Sequence, residues 1–448
     1  MKKLTVLVLF FAVVMTAESS EDFVFNASTP APTRVGELIE EARDRYLGAH
    51  GLNLGTDNPG GAFIGFAQSA VNVGPDHPGW GSARASAYER AWIAAQSDFI
   101  RFQFARISSE TVSELFADDS LGIASPHAEP DPVQGQFRRM LQKFLDLSEA
   151  RQDEALRKMG LNPADYAGSP PAKRRDLFSQ QFMRQTLVRS FGEVVGCLPL
   201  QTFEAVDEAG SHSIGVILVY SEKLKDFASN VLRGTVQIEP QRAATRPVME
   251  VIGADPARLA NQFGVRRLYD TAGIPVLVSF GQAAIPGGTQ GTGPNNRQHQ
   301  RRRDAAMRQA RITADSYLAE FLAAQLNLVE ESTRGEIFEE FVTTEADGFE
   351  RWSENAQFLE IFEQRLKRRA DLSLSGIADG HTWSFRQPEH GQELVGVVRI
   401  WTPASARAAR EIRSGRRESD SGREDPATTQ EASVLPSGDF EGMMPGDF

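Results

Sequence analysis

The sequence predicts an α+β fold in which two tandem modules, each a helix-covered antiparallel sheet, derive from an internal duplication. Three observations favour this fold. Short motifs recur in the same order, Gly- and Pro-rich turns separate the β-rich runs, and two long segments carry apolar residues at helical spacing. The length of 448 residues allows two or three domains, and a hydrophobic content of 41% is ordinary for a globular protein.

The internal repeat consists of four blocks in one order. Phe66–Val71 recurs as Phe280–Ile285, with identical or similar residues at all six places, and Gly215–Ser221 recurs as Gly396–Thr402. Two further matches lie between these blocks: Gln185–Arg189 with Gln364–Arg368, and Gly196, Thr202 and Phe203 with Gly376, Thr382 and Trp383. The shared order indicates a duplication.

Each module is predicted to follow the order α-β-β-α-β-β-α. In the second module, Asp255-Pro256 supplies an N-cap and a first-turn proline, and Asp270–Gly273 has the residues of a hairpin turn. Pro59–Gly61 is the corresponding turn of the first module. The predicted helices include Val35–Tyr46, Ala83–Phe116, Glu222–Leu232, Ala257–Phe263, Arg302–Glu331 and Pro403–Arg413, and the first two strands of the second module are Val265–Tyr269 and Ile274–Ile285.

The predicted domain organisation has five parts. These are a signal peptide at 1–19, a first module at 33–235 with a helical insertion around 134–190, a linker at 236–252, a second module at 253–415 and a disordered acidic tail at 416–448. Residues 418–448 hold eight acidic residues against the single Arg423, out of a net charge of −12. Such a polar segment buries too little apolar surface to offset the entropy of ordering, so we expect it to be disordered.

The start of the chain predicts export. Lys2 and Lys3 precede an apolar run, Leu4–Met15, and small or polar residues follow it. A membrane span needs roughly 20 apolar residues, and this run has about 12. The only cysteine is Cys197, so the sequence offers neither an intramolecular disulfide nor a lipid-modified cysteine after the apolar run. We therefore expect a periplasmic or extracellular protein without a membrane span in its mature form.

Catalytic and metal-binding motifs are missing from the sequence. The seven histidines are scattered, with no pair at ligand spacing on a predicted helix, and no Gly-x-Ser-x-Gly motif occurs. Cys197 lies in an apolar stretch, which favours a buried thiol over a nucleophile. The sequence thus predicts a non-enzyme with no cofactor and no metal site, and its acidic balance disfavours nucleic-acid binding.

An arginine-rich segment is a candidate anion-binding site. A Gly- and Pro-rich stretch at 286–294 precedes Arg297, Arg301, Arg302 and Arg303, and further arginines follow up to Arg311. Glycine backbone N–H groups, a helix start and arginines all attract phosphate or acidic glycans. The alternative is a flexible connector, because a P-loop's Lys-Ser/Thr ending is missing and the corresponding loop at 72–82 is not basic.

The last three residues, Gly446, Asp447 and Phe448, are a candidate docking motif, because Gly-Asp-Phe also occurs at 438–440. A groove that adds a peptide as an edge strand can capture a terminal carboxylate. The alternative is a solvated tail without a partner.

Several stretches resemble known families. An alanine-rich helix after a strand, followed by the strand pair Val194–Phe203 and Ser213–Tyr220, resembles LPP-type small lipoproteins and the N-terminal domain of the flagellar assembly protein FlgT. More closely, Phe263–Arg267 followed by Gly273–Phe280 looks like an uncharacterised exported bacterial family with a duplicated domain. The latter resemblance covers most of Val35–Arg413. It implies an envelope location and a non-catalytic role, and it supplies no catalytic residues.

Three functions remain open from the sequence. The first is an exported, non-catalytic scaffold or binding module for another envelope component, because the chain combines duplication, export and missing catalytic motifs. The second is binding of an anionic glycan or phospholipid through the arginine-rich segment 297–311. The third is an enzyme of unknown type.

Overall fold

The computed structural model describes residues 35–116, 144–233, 246–285, 297–333 and 376–414. Short gaps fall at 78, 145, 208–209 and 388–390, and at pairs of residues between 171 and 192. The predicted signal peptide, the acidic tail and the glycine-rich stretch at 286–294 lie outside the described residues. The described chain contains helices and two antiparallel sheets, which confirms the predicted α+β class.

The helices and strands follow one another from residue 35 to residue 414. The helices are α1 (Val35–His50), α2 (Trp80–Phe116), α3 (Glu149–Lys158), α4 (Pro163–Ala167), α5 (Glu222–Arg233), α6 (Val248–Ile252), α7 (Pro256–Ala260), α8 (Arg297–Thr333) and α9 (Pro403–Ser414). The strands are β1 (Phe63–Val71), β2 (Leu198–Val206), β3 (His212–Tyr220), β4 (Gly264–Tyr269), β5 (Pro275–Ala284), β6 (Ile377–Arg386) and β7 (Glu393–Trp401). Helices α3 and α4 lie in the predicted insertion, and α6 lies within the predicted linker.

The strand order is β1-β3-β2 in the first sheet and β4-β5-β7-β6 in the second, with antiparallel pairing throughout. Sequence-matched residues occupy matched register positions. Phe66 pairs with Ile217 as Phe280 pairs with Val398. Phe203 pairs with Gly215 as Trp383 pairs with Gly396, and a register shift falls at Pro199/Gln201 in β2 and at Asp379/His381 in β6.

Two matched glycines also have the same environment. Gly196 and Gly376 both take a left-handed backbone conformation, with φ of 91° and 88°. A Cβ on Gly196 would lie 2.4 Å from the backbone nitrogen of Lys225 in α5, and a Cβ on Gly376 would lie 2.5 Å from the backbone of Ala406 in α9. Glycine is required at both places because φ is positive and the following helix is too close for a side chain.

The predicted four-strand plan is wrong for the first module. Where the second module has β4, described residues 51–62 form a loop, which contacts β1 through a single bridge between Gly55 and Ile64. The Asn58 side-chain amide donates to the backbone oxygens of Asn53, Gly55 and Ala62. These bonds hold the loop in a folded shape and occupy carbonyl groups that a strand would use for pairing.

The described residues form two compact units. The first unit contains both sheets and consists of described residues within 1–95, 196–322 and 369–448. The second consists of described residues within 96–195 and 323–368. The predicted organisation instead separates the two sheets at 236–252. Strands β2 and β4, one from each sheet, contact each other, which accounts for the grouping. The second unit has its own apolar core, in which the rings of Phe144 and Phe178 stack at 3.9 Å.

Within the first unit, α8 packs directly on the second sheet. A Cβ on Gly281 of β5 would lie 2.0 Å from the backbone oxygen of Ala310, so only a glycine permits this approach. The neighbouring Ser279 donates a hydrogen bond of 2.7 Å from Oγ to the backbone oxygen of Ala314. Helix and strand are thus fixed to each other by a close contact and a buried hydrogen bond.

Candidate functional site

A buried polar network within the first unit is centred on Arg84 of α2, which is 1% exposed. The guanidinium donates from Nε to Oε1 of Glu204 and from Nη2 to Oε2, both at 2.5 Å. Glu204 lies on β2. This is the two-bond geometry that gives an arginine–carboxylate pair both strength and a fixed orientation.

The network continues into the second sheet. Nη1 of Arg84 donates to Oε1 of Gln282 on β5 at 3.2 Å, and Nη2 donates to the backbone oxygen of Ala260 at 2.9 Å. The Gln282 amide in turn donates to the backbone oxygens of Ala260 and Gln262, at 3.1 Å each. One arginine therefore connects a strand of the first sheet with a strand of the second.

His212 forms the other branch of the network. Nε1 of Trp80 donates to Nδ1 of His212 at 2.9 Å, and Nε2 of His212 lies 2.7 Å from Oε1 of Glu204. An indole N–H can only donate, so Nδ1 must be the unprotonated acceptor and Nε2 must carry the proton that it donates to Glu204. The histidine is therefore held as one neutral tautomer, with both ring nitrogens occupied.

The pKa of Glu204 reflects two opposing effects. Burial alone would raise it, but the Arg84 charge and the hydrogen bonds from His212 and Arg84 outweigh burial and lower the pKa to about 2. A general acid or base works best with a pKa near the operating pH. An ionised carboxylate and a neutral histidine that are both engaged by neighbouring side chains are suited to holding the structure together.

This lowered pKa predicts a pH dependence of stability. The depressed pKa contributes to the free energy of unfolding above about pH 4.5, and that contribution is lost as the pH falls towards about 2. Its size is on the order of 3 kcal/mol. We expect urea unfolding between pH 6 and pH 2.5 to show a steeper loss in the wild type than in Glu204→Gln, which cannot titrate. Equal losses in both proteins would contradict the assignment.

The predicted anion-binding residues lie at the start of α8. Arg297, Arg301, Arg302 and Arg303 are all exposed on its first turns. At the far end of the segment, Nη2 of Arg311 instead donates to Asp379 at 2.9 Å. The structure thus brings the four arginines together on one helix. The docking residues Gly446, Asp447 and Phe448 lie outside the described residues.

Sequence reasoning missed the Arg84 network. The available signal was a charged residue inside an apolar pattern. Glu204 interrupts the strand Leu198–Val206, and Arg84 lies among small residues at the start of a helix. A buried charge needs a partner, so each position signals a buried ion pair, although the sequence does not identify which residues pair. The Trp80–His212 contact had no comparable signal.

Two further properties concern the described residues alone. Within the described ranges, no helix is both long and apolar enough to cross a membrane. In the same part of the chain, no group of three or more His, Cys, Asp or Glu side chains is placed to hold a metal ion.

Comparisons with known proteins support an uncharacterised family. Residues 137–233 match the family model described as a domain of unknown function, DUF6844. The fold is similar to the crystal structure of hypothetical protein FTT1539c from Francisella tularensis, with a TM-score of 0.50 and 20% sequence identity over 87% of this chain and 95% of that chain. No curated protein matches the sequence significantly. At this identity the likeness concerns the fold alone.

Proposed function

We propose that the protein is an exported, non-catalytic scaffold or binding module for another component of the cell envelope. The observation that carries the proposal is that the polar groups of the Arg84 network are engaged in holding the fold together. Its carboxylate, histidine and guanidinium are bonded to one another and to both sheets. Such a network supports a rigid surface and leaves its titratable groups engaged in the fold.

We also propose that the two sheets derive from one ancestral module. The matched registers, the matched register shifts in β2 and β6, and the matched glycines at 196 and 376 support a duplication. A duplicated module offers two related surfaces, which suits a protein that joins components. The resemblances to LPP-type lipoproteins and to the FlgT N-terminal domain remain predictions.

The export part of the proposal rests on the first 20 residues. It is tested by fractionating cells that produce the full chain and measuring the mass of the exported protein. We expect a periplasmic or secreted product that lacks the residues up to about position 19. A cytoplasmic product of full mass would overturn this part.

Partner binding is tested by mild crosslinking of the full chain in envelope extracts, followed by binding of the purified partner. We expect one envelope component to be recovered repeatedly and to bind at a fixed ratio in purified form. Two variants serve as matched controls. One lacks residues 437–448 and controls for the tail, and the other, Arg301→Ala/Arg302→Ala/Arg303→Ala, controls for the arginine segment. Repeated failure to recover any partner would overturn the scaffold function.

A second candidate function is binding of an anionic glycan or phospholipid. The observation that favours it is the exposure of Arg297, Arg301, Arg302 and Arg303 on the first turns of α8. Binding to vesicles that contain anionic phospholipid, or to an acidic glycan, should weaken with added salt and with the triple alanine variant. Binding that is insensitive to both would exclude this segment.

A further inference from the structure

Arg267 of β4 is a buried cation with an incomplete set of partners. The residue is 4% exposed, and its guanidinium lies 4.8 Å from the ring centroid of Phe227 and 5.0 Å from that of Tyr269. Nη2 donates to the hydroxyl oxygen of Tyr269. Nε and Nη1 are both buried and have no hydrogen-bond acceptor among the residues that the structure describes. A charged side chain is thus held between two aromatic rings with two donors open.

Among the residues that the structure describes, Arg267 forms no ion pair like that of Arg84. Arg84 is equally buried, but a carboxylate accepts two of its hydrogen bonds and neutralises its charge. An arginine cannot lose its proton inside a protein, so burial without a counter-charge is strongly unfavourable, and each unmet donor adds to this cost. Interaction with the rings offsets only part of it.

The adjacent Arg266 increases the imbalance. It is 6% exposed and its Nη1 donates to the backbone oxygens of Phe263 and Val265, while Nη2 is buried without an acceptor in the described part of the chain. Successive residues of a strand point to opposite faces, so the two guanidinium groups do not share one site. They nevertheless place two positive charges on one short strand.

We propose that Arg267 forms a buried binding site for a small oxyanion, a carboxylate or phosphate group, whose oxygen accepts from the open guanidinium donors beside Phe227 and Tyr269. The anion supplies the missing counter-charge and at least one missing acceptor. The rings of Phe227 and Phe321, whose centroids are 6.4 Å apart, supply apolar surroundings in which such a charge pair is strong. This site is separate from the arginine segment of α8 and does not depend on the proposed function.

The test measures the melting temperature of the full chain in inorganic phosphate, acetate or chloride at equal ionic strength and pH 7. An anion that binds only the folded state raises the melting temperature as its concentration increases, and this rise levels off when the site is saturated. A general salt effect continues beyond that point. We expect a saturable rise in phosphate or acetate, accompanied by binding heat in calorimetric titration. Comparison of the two anions distinguishes a phosphate from a carboxylate site.

Two variants locate the site. Arg267→Met keeps a long stem between the rings but removes the charge, so it should lose the saturable rise and melt no earlier than the wild type in chloride. Arg301→Met removes an exposed arginine of α8 and should keep the rise. If Arg267→Met does not fold, Arg267→Lys decides the matter, since weaker anion binding supports the site and unchanged binding overturns it.

Three results would overturn the proposal. The first is a wild-type melting temperature that is the same in all three anions, which would leave water as the acceptor. The second is an equal rise in Arg267→Met, which would reveal a general salt effect. The third is loss of the rise in Arg301→Met alone, which would assign the binding to the surface of α8.

Discussion

Replacing Arg84 by methionine is expected to lower the free energy of unfolding by about 3–5 kcal/mol. The substitution leaves Glu204 buried without the guanidinium that donates to it and balances its charge, and breaking a buried pair on one side is costly. It also removes the bonds from Arg84 to Gln282 and Ala260 that connect the sheets. Chemical denaturation monitored by circular dichroism measures the loss.

A matched control is Arg157→Met, because Arg157 pairs with Asp153 one turn earlier in α3 and both side chains are exposed. An exposed ion pair contributes roughly 0–1 kcal/mol. The double variant Arg84→Met/Glu204→Gln should recover part of the stability, because it leaves no unpaired buried charge. An Arg84→Met variant that is as stable as Arg157→Met would show that the buried pair is not needed.

Truncation of Phe280 to alanine should cost roughly 3–5 kcal/mol, the range for a buried phenylalanine. Phe280 is 3% exposed in β5. Its sequence match, Phe66, is only partly buried, with the guanidinium of Arg43 4.6 Å from its ring centroid. Phe66 is thus less buried than Phe280, because it faces the side of the first sheet where Arg43 of α1 covers it.

We expect Phe66→Ala to cost clearly less than Phe280→Ala in the same denaturation experiment. The pair is informative because both residues occupy the same register position in their sheets. Equal losses would indicate that the two aromatic positions are buried to the same degree in solution.

Local patterns predicted most of the elements. The helices α2 and α8 were predicted as 83–116 and 302–331 and lie at 80–116 and 297–333, because apolar spacing and length identify long helices well. The strands β4 and β5 are predicted by β-rich runs on either side of the turn at Asp270–Gly273, and the helix before them is predicted by Asp255-Pro256. The strand missing from the first module was not predictable in this way, because the side chain of Asn58, rather than an apolar pattern, shapes that loop.

The candidate site was less accessible to the sequence. Arg84 lies 120 positions from Glu204 and 198 positions from Gln282, and no local rule joins residues so far apart. The buried Arg266 and Arg267 stand inside a predicted strand, but the ring of Phe227 in α5 that covers Arg267 is supplied only by the folded chain. The exposed arginines at the start of α8 were found because their signal is local.

The pairing of β1 with β3 determines when the first sheet can close during synthesis. Phe63 pairs with Tyr220, so β1 leaves the ribosome long before its partner exists. At about 5–20 residues per second, this delay is on the order of 10 seconds. The strands β4 and β5, in contrast, form a hairpin as soon as Pro275–Ala284 has been made. The nascent chain therefore carries an unpaired apolar strand for most of its first half, which makes prompt binding by a chaperone valuable.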